Sequence, residues 1–193
     1  MNGSMKHEKM LYKLKKALDS QRYEHTLGVE ETARQMAKCF GADEEKAALA
    51  GLLHDCAKCL PLEKMVKAAK GEQLDDVMRE SKALMHSVAG MCMARDLYGV
   101  EDGEVLSAIR WHTTGRAQMT ALEKIIYLAD MIEPSRKPYP GLNELRKRCF
   151  TDLDDAMHFA LASSLAHVQA QGKTLHPDTL AALADYDPDY EHE

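Results

Sequence analysis

The chain has 193 residues, of which 45 % belong to the hydrophobic set AVILMFWYC, and its formal net charge at pH 7 is −6. This length and composition favour one compact domain with a real hydrophobic core, and they exclude a disordered or fibrous protein. The balance of 31 Asp plus Glu against 25 Lys plus Arg excludes attraction of nucleic acid or of an anionic membrane by overall charge. A polyanion would therefore have to bind at a local site.

Neither the N-terminal residues nor the longest uncharged stretch predicts secretion or membrane insertion. Met1–Ser4 resemble a cloning remnant, which leaves residues 5–193 as the expected domain, and no apolar signal region follows them. The longest stretch without Asp, Glu, Lys or Arg is Ala156–Gly172, which is too polar and too short to span a bilayer. We expect a cytoplasmic protein that binds neither membranes nor nucleic acid.

Hydrophobic spacing predicts helices along the first half of the chain. The expected helical segments are Met10–Leu18, Tyr23–Phe40, Asp43–Pro61 and Leu62–Lys70. Gly41 is the expected end of the second segment, and Asp43 is the expected N-cap of the third, which continues until Pro61 interrupts it.

The helical spacing continues in the second half. The expected segments are Ser81–Tyr98, Asp102–Trp111, a helix that begins at Thr120, Thr151–Gln171, and a closing helix with Pro177 in its first turn. Thr120 and Glu123 have the spacing of a capping box. The Pro-rich segment Glu133–Leu142 is an expected ordered loop. Because no strand alternation of useful length is present, the sequence predicts an all-α, single-domain helical bundle.

The five cysteines, an odd number without the spacing of a disulfide framework, are interpreted as reduced thiols. Cys56 and Cys59 form a Cys-x-x-Cys pair. Neither the strand of a thioredoxin-like unit nor a second pair of zinc ligands accompanies them. Free thiols are the preferred interpretation, and a redox function of the pair stays open.

Two aspartates lie in apolar helical surroundings. Asp55 follows His54 and the uncharged run Leu49–Leu53, and Asp130 lies next to Ala129. An ionised carboxylate in such a place loses several kcal/mol of hydration unless a cation or hydrogen-bond donors compensate it. A divalent metal would compensate both aspartates.

Histidines near these aspartates complete a candidate metal centre. A single histidine is more often a surface or core residue than a ligand, but helices of a bundle can present several ligands at the same depth. The candidate ligands of two metal positions are His25, His54, Asp55, His86, His112 and Asp130. Asp55 would bridge the two positions. Imidazole and carboxylate suit iron, manganese, cobalt or nickel, with zinc as a further option.

The order of these residues resembles the H…HD…D signature of the HD-domain metal-dependent phosphohydrolases, which have an all-α fold. Five local blocks are similar to those of the YqeK-type subfamily: RYEHTLGV, GLLHDCAK, MHSVAG, WHTTG and YLADMIEPSR. The likeness covers most of the chain. It implies a symmetrical bis(5'-nucleosyl)-tetraphosphatase, a hydrolase of phosphoanhydride bonds that converts diadenosine tetraphosphate into two ADP at a two-iron centre.

On this resemblance, Asp55 and Lys58 are the expected catalytic residues. A water molecule shared by two cations loses a proton near neutral pH, and the resulting hydroxide attacks the phosphoanhydride. Lys58 follows Asp55 by three residues and is expected on the same helical face, where it would stabilise oxyanion charge or the leaving group. The alternative for Lys58 is a solvated cation at a helix end.

The expected phosphate-binding residues are Arg22, Lys58, Thr113, Thr114, Gly115, Arg116 and Arg136. The segment His112–Arg116 offers hydroxyls, a close backbone approach and a cation directly after a metal ligand. A plain connection between two helices is the alternative. Arg136 would bind a second phosphate through its planar fork, and Arg22 precedes His25 by one helical turn. The alternatives for these two arginines are a surface position and pairing with a carboxylate.

Two other functions stay open from the sequence. An HD-type nucleotidase or cyclic-nucleotide phosphodiesterase would use the same ligands on another substrate, and a nucleotide sensor would bind without hydrolysis. The presence of all six candidate ligands and Lys58 disfavours the sensor. The expected partner is a small-molecule nucleotide, namely a dinucleoside polyphosphate with ADP as product. The sequence leaves open the identity of the metal, the nucleobase preference and the oligomeric state, for which a homodimer is one option.

Overall fold

A computed structural model describes residues 5–172 and 175–187. This part of the chain contains eleven helices and no strand, so the predicted all-α fold is confirmed. Met1–Ser4, the expected cloning remnant, lie outside the described residues. The helices are α1 (His7–Ala17), α2 (Ser20–Phe40), α3 (Glu44–Leu53), α4 (Leu62–Ala68), α5 (Asp76–Glu80), α6 (Lys82–Tyr98), α7 (Gly103–Trp111), α8 (Ala121–Ile132), α9 (Leu142–Arg148), α10 (Leu153–Ala170) and α11 (Pro177–Ala184).

Several helices begin and end at the residues that the sequence predicts. Asp43 caps α3 by accepting hydrogen bonds from two backbone amides of its first turn. Thr120 and Glu123 form both halves of a capping box at the start of α8. Gly41 and Gly99 follow α2 and α6 in the left-handed region, with φ of 68° and 73°. Local chemistry therefore fixes these helix ends.

The main core lies where α2, α3, α7 and α8 pack against one another. Large side chains that are fully buried there include Met36, Leu52, Leu53, Ile125, Ile126 and Leu128. Burial of a side chain of this size contributes about 1.5–3 kcal/mol relative to its exposed state. A smaller second core, which includes Met65, Met78 and Met85, lies under α4, α5 and α6. Packing thus holds the helices that carry the candidate ligands in fixed relative positions.

The third helix is shorter than predicted. α3 ends at Leu53 rather than near Pro61, and residues 54–59 form turns. Nδ1 of His54 lies 2.6 Å from the Gly51 carbonyl oxygen, which is the acceptor that the Asp55 amide would use in a continued helix. The predicted helix around Lys58 is therefore wrong, because Lys58 projects from a turn, although its Nζ lies 3.6 Å from Oδ1 of Asp55 as the predicted shared direction requires.

Two short helices, α5 and α9, are not predicted by the sequence. They have five and seven residues, and each has few buried apolar residues, Met78 in α5 and Leu142 and Leu145 in α9, so the hydrophobic spacing gives little signal there. The predicted loop Glu133–Leu142 is free of helix until Leu142 begins α9. Within the described ranges, none of the helices has the length and apolar character that crossing a bilayer requires.

Candidate metal centre

Six side chains converge at a centre between five helices. They are His25 on α2, His54 and Asp55 directly after α3, His86 on α6, His112 directly after α7, and Asp130 on α8. The first five are buried, and the side chain of Asp130 is 21 % exposed. The structure therefore brings together every residue that the sequence predicts as a metal ligand.

Asp55 lies between two pairs of histidines. Its Oδ1 is 3.1 Å from Nε2 of His86 and 3.6 Å from Nε2 of His112. Its Oδ2 is 3.5 Å from Nε2 of His54 and 3.8 Å from Nε2 of His25. The two carboxylate oxygens thus face different histidine pairs, which is the arrangement that a bridging ligand requires.

Asp130 lies beside the pair formed by His25 and His54. Its Oδ1 lies 3.0 Å from Nε2 of His25 and 3.7 Å from Nε2 of His54. One side of the centre therefore has two imidazoles and Asp130, and the other side has two imidazoles alone, with Asp55 between them.

The donor atoms fit divalent cations. Three overlapping sets each hold donors within 4.8 Å of one another: His25, His54 and Asp55; His54, His112 and Asp130; Asp55, His86 and His112. Oδ1 of Asp55 is buried and has no hydrogen-bond partner, and such an oxygen is costly without a compensating charge. Nitrogen and oxygen donors that converge in this way are the ligands that iron, manganese and related metals take in proteins.

Backbone carbonyls determine which ring nitrogen is free in two of the histidines. Nδ1 of His54 lies 2.6 Å from the Gly51 carbonyl oxygen, and Nδ1 of His112 lies 2.7 Å from the Ile109 carbonyl oxygen. Because a carbonyl oxygen only accepts hydrogen bonds, each Nδ1 donates, and the Nε2 of the neutral ring keeps its lone pair. Both lone pairs face the centre.

Burial and neighbouring groups shift the ionisation of the centre in opposite directions. Burial raises the pKa of Asp55, but the neighbouring imidazoles, with His54 the strongest, outweigh it and hold this pKa well below the usual range. Burial also raises the pKa of Asp130, but the combined effect of His25, His54 and Arg136 outweighs it, so that pKa is lowered as well. Burial lowers the pKa of His86 to about 4. Ionised carboxylates and a neutral imidazole are the forms that bind metals.

Three of the predicted phosphate-binding cations reach the centre. Nη1 of Arg22 donates to Oδ2 of Asp55 at 2.7 Å, and Nζ of Lys58 lies 3.6 Å from Oδ1 of the same carboxylate. Arg136 donates from Nη2 to the carboxylate of Asp130 and from Nε to the backbone oxygen of that residue. These cations therefore lie beside the two aspartates of the centre.

After His112 itself, Thr113 is the residue of the predicted His112–Arg116 segment whose side chain contacts the centre. Its Oγ1 lies 3.2 Å from Nε2 of both His86 and His112. The side chain of Thr113 is therefore placed beside the same histidine pair as Lys58, whose Nζ lies 3.0 Å from Nε2 of His86.

The three residues after Thr113 are directed elsewhere. The buried hydroxyl of Thr114 donates to the Gly115 carbonyl oxygen. Gly115 packs close to Ala182, because a Cβ added at Gly115 would lie 3.2 Å from Cβ of that alanine. Arg116 donates from two nitrogens to the buried carboxylate of Glu123, at 3.0 Å each. Phosphate binding by Thr114, Gly115 and Arg116 stays a prediction that these contacts do not favour.

Sequence reasoning missed Glu133, a buried carboxylate that touches the centre. Its Oε1 lies 2.9 Å from Nδ1 of His25. Burial raises its pKa, but hydrogen bonds with His25 and Ser135 outweigh this effect and lower the pKa. The signal was present in the sequence, because Glu133 follows Met131 and Ile132 and is thus a third acidic residue in an apolar context.

A cleft of about 380 Å³ opens beside His25. Its lining includes Arg22 and Arg136, which the sequence predicts, and Lys137 and Tyr139, which it does not. Three cations around one opening favour an anionic ligand. The cleft lies on the His25 side of the centre.

The helical bundle holds imidazoles and aspartates that converge in its interior. The protein therefore belongs to the class of all-α proteins that carry the ligands of a divalent metal centre. The sequence model of the HD domain matches residues 22–135, a range that includes all six candidate ligands. The chain belongs to the HD-domain family, and this family implies dependence on a divalent metal.

Three relatives agree with this assignment. The chain is 41 % identical to "Bis(5'-nucleosyl)-tetraphosphatase, symmetrical" of Halalkalibacterium halodurans, over 92 % of this chain and 95 % of the relative. It is 39 % identical to the protein of the same name from Bacillus subtilis, over 91 % and 94 %. A crystal structure from Clostridium acetobutylicum, described as a predicted HD superfamily hydrolase involved in NAD metabolism, superposes with a TM-score of 0.92 at 39 % identity, over 97 % of this chain and all of that one. The predicted family is confirmed.

Proposed function

We propose that the protein hydrolyses bis(5'-nucleosyl) tetraphosphates symmetrically, so that diadenosine tetraphosphate and water give two ADP. Relatives that carry the name of this activity match most of the chain. The observation that carries the proposal is the position of Asp55, whose two oxygens face different histidine pairs between cationic side chains. This arrangement suits a hydrolytic centre with two cations.

The side chains would divide into two sets of metal ligands. His25, His54, Asp55 and Asp130 would hold one cation, and Asp55, His86 and His112 would hold the other. When bound, the cations would activate a water molecule and neutralise charge on the attacked phosphate. We propose iron as the metal, since the set of imidazoles and carboxylates suits it.

Groups that bind phosphate lie beside both histidine pairs. Lys58 and Thr113 lie beside His86, where they would stabilise the charge on the phosphoryl oxygens as the anhydride breaks. Arg22, Arg136 and Lys137 line the cleft on the other side, where they would hold the phosphates of the second half of the substrate.

Binding on both sides of one centre favours cleavage of the middle anhydride. The oxygen of the attacking water would end on one diphosphate, and the bridging oxygen would leave with the other. Lys58 would stabilise the negative charge of the leaving diphosphate. Two identical nucleoside diphosphates would result.

We place residues 5–193 in one domain that acts in the cytoplasm, on free nucleotides rather than on nucleic acid. The net charge of −6 supports the choice of a small nucleotide, because a nucleic-acid backbone would be repelled outside the local cluster of cations.

Chromatography of the early products tests the proposed reaction. Diadenosine tetraphosphate incubated with the protein and ferrous iron should give ADP alone, and equal amounts of AMP and ATP would contradict the symmetrical cut. The Asp55→Asn variant serves as the control for contaminating phosphatases and should be inactive. Turnover of a cyclic nucleotide or a mononucleotide, with diadenosine tetraphosphate left intact, would instead support another HD-type nucleotidase.

A further inference from the structure

Three of the four histidines of the centre, namely His54, His112 and His25, are oriented by hydrogen-bond acceptors of two different kinds. His54 and His112 directly follow helices, and each donates Nδ1–H to a carbonyl near the C-terminus of that helix. His25 lies inside α2, where the helix uses the carbonyls for its own hydrogen bonds. Its Nδ1 is instead 2.9 Å from a side-chain oxygen, Oε1 of Glu133. The orientation of His25 therefore depends on a residue that can be substituted.

The carboxylate of Glu133 is held in place by its other contacts. Oε2 accepts a hydrogen bond from the backbone amide of Ser135 at 2.6 Å, and Oε1 accepts one from the Ser135 hydroxyl at 2.8 Å. Pro134 disfavours a helical conformation at the residue before it, and Glu133 accordingly has a ψ of 154°. Helix α8 therefore ends at Ile132. Because the side chain of Glu133 is only 1 % exposed, water does not replace these donors.

Helix α2 makes room for this carboxylate with a glycine. A Cβ at Gly28 would lie 2.6 Å from Oε2 of Glu133 and 3.3 Å from its Cδ. Glycine inside a helix costs about 0.5–1 kcal/mol relative to alanine. Gly28 lies one helical turn after His25, so the glycine and the histidine contact the same carboxylate.

We propose that Glu133 is a positioning residue of the metal centre, which accepts the Nδ1 proton of His25 and so directs the unprotonated Nε2 at a divalent cation. The inference rests on the cation-binding role proposed above for His25. Carboxylates that orient a metal-binding imidazole typically contribute about 10- to 100-fold to metal affinity. Gly28 and Ser135 support this role by placing the carboxylate.

The Glu133→Gln variant tests the hydrogen-bond pattern with almost no change in size. A glutamine side chain has one acceptor oxygen and one NH₂ donor. The Ser135 amide only donates, so the glutamine oxygen is expected next to it, and the NH₂ group then faces Nδ1 of His25. His25 must accept at Nδ1, which moves its proton to Nε2 and removes the lone pair from the centre.

The experiment is a calorimetric titration of metal-free protein with Mn²⁺. In Glu133→Gln we expect the dissociation constant of one position to rise about 10- to 100-fold, with the other position changed much less. Nitrogen-15 NMR of the metal-free variant should show the His25 proton on Nε2 instead of Nδ1. Circular dichroism reports whether the variant is folded.

Gly28→Ala provides an independent test that keeps the carboxylate. The added Cβ should displace Glu133, so the same position should lose affinity for Mn²⁺. Gly103→Ala is the matched control, because Gly103 also lies in a helix and a Cβ there meets no atom within 4 Å. The affinity of Gly103→Ala for Mn²⁺ should equal that of the wild type.

The outcomes separate this inference from the proposed function. Wild-type affinity in folded Glu133→Gln, or equal affinities in Gly28→Ala and Gly103→Ala, would overturn the positioning role and leave the proposed hydrolysis intact. Failure of the wild-type protein to bind either Mn²⁺ or Fe²⁺ would overturn both.

Discussion

Lys58 is the cation nearest to His86, with 3.0 Å between Nζ and Nε2, and it lies 3.6 Å from Oδ1 of Asp55. It reaches the centre from the turn after α3, and its side chain is 32 % exposed. A partly exposed ammonium group contributes little to folding stability, because water screens its ion pairs. Its position beside the centre therefore indicates a role in the reaction rather than in the fold.

Replacement of Lys58 by alanine should lower kcat about 10- to 1000-fold, which brackets the loss of one oriented cation. Metal content and melting temperature should stay close to those of the wild type. Steady-state kinetics with diadenosine tetraphosphate check this prediction. Lys64→Ala, which removes an exposed lysine of α4, is the control. A kcat near the wild-type value in Lys58→Ala would show that this lysine is a solvated surface cation without a role in the reaction.

The six candidate ligands could be found from the sequence because charge or imidazole in apolar helices is costly without a partner. Asp55 and Asp130 show that signal directly. Arg116 shows why neighbouring residues were harder to predict. The sequence places it four residues after His112, but the buried carboxylate of Glu123 on α8 binds it. Such a partner depends on tertiary packing, which sequence spacing does not reveal.

At the scale of elements, α3 and α7 end by the same device. Each helix is followed by a histidine whose Nδ1 donates a hydrogen bond to the carbonyl oxygen three residues earlier. That oxygen is the acceptor that the amide of the residue after the histidine would use in a continued helix. The sequence predicts α3 to continue toward Pro61 because Ala47, Ala50 and Leu53 have helical spacing and Pro61 is the expected stop. The histidine that ends the helix is thus also the side chain that faces the centre.

Helix α9 stabilises the end of α8 although the sequence does not predict it. Arg146 donates from Nε to the Ile132 carbonyl oxygen at 2.9 Å and from Nη2 to the Glu133 carbonyl oxygen at 3.0 Å. These carbonyls belong to the helix C-terminus, where intrahelical donors are missing. The bonds fix the backbone at the residue whose side chain orients His25.

Arg146→Ala should therefore lower the free energy of unfolding by about 1–3 kcal/mol, the range for lost hydrogen bonds from a charged donor. Urea unfolding followed by circular dichroism measures this change. Lys147→Ala, which removes an exposed cation of the same helix, should leave the unfolding midpoint almost unchanged. Equal stabilities of the two variants would show that Arg146 does not stabilise the end of α8.

At the scale of the whole molecule, the centre joins parts of the chain that are distant in sequence. The candidate ligands range from His25 to Asp130 and come from five helices. An unfolded chain does not hold six such donors around two positions, so cations that bind the centre bind the folded state selectively. Metal binding and folding of this protein should consequently be coupled.

The melting temperature should therefore rise with the concentration of free Mn²⁺. A ligand that binds only the folded state at 100 times its dissociation constant contributes about 2.7 kcal/mol at each site. For a domain of this length, 1 kcal/mol corresponds to about 2–4 °C, so one occupied position should raise the melting temperature by about 5–11 °C. Differential scanning calorimetry of chelator-treated protein with and without added Mn²⁺ measures the shift. Asp55→Asn, which weakens the bridge between both positions, should show a much smaller shift, and an equal shift in this variant would contradict the bridging role of Asp55.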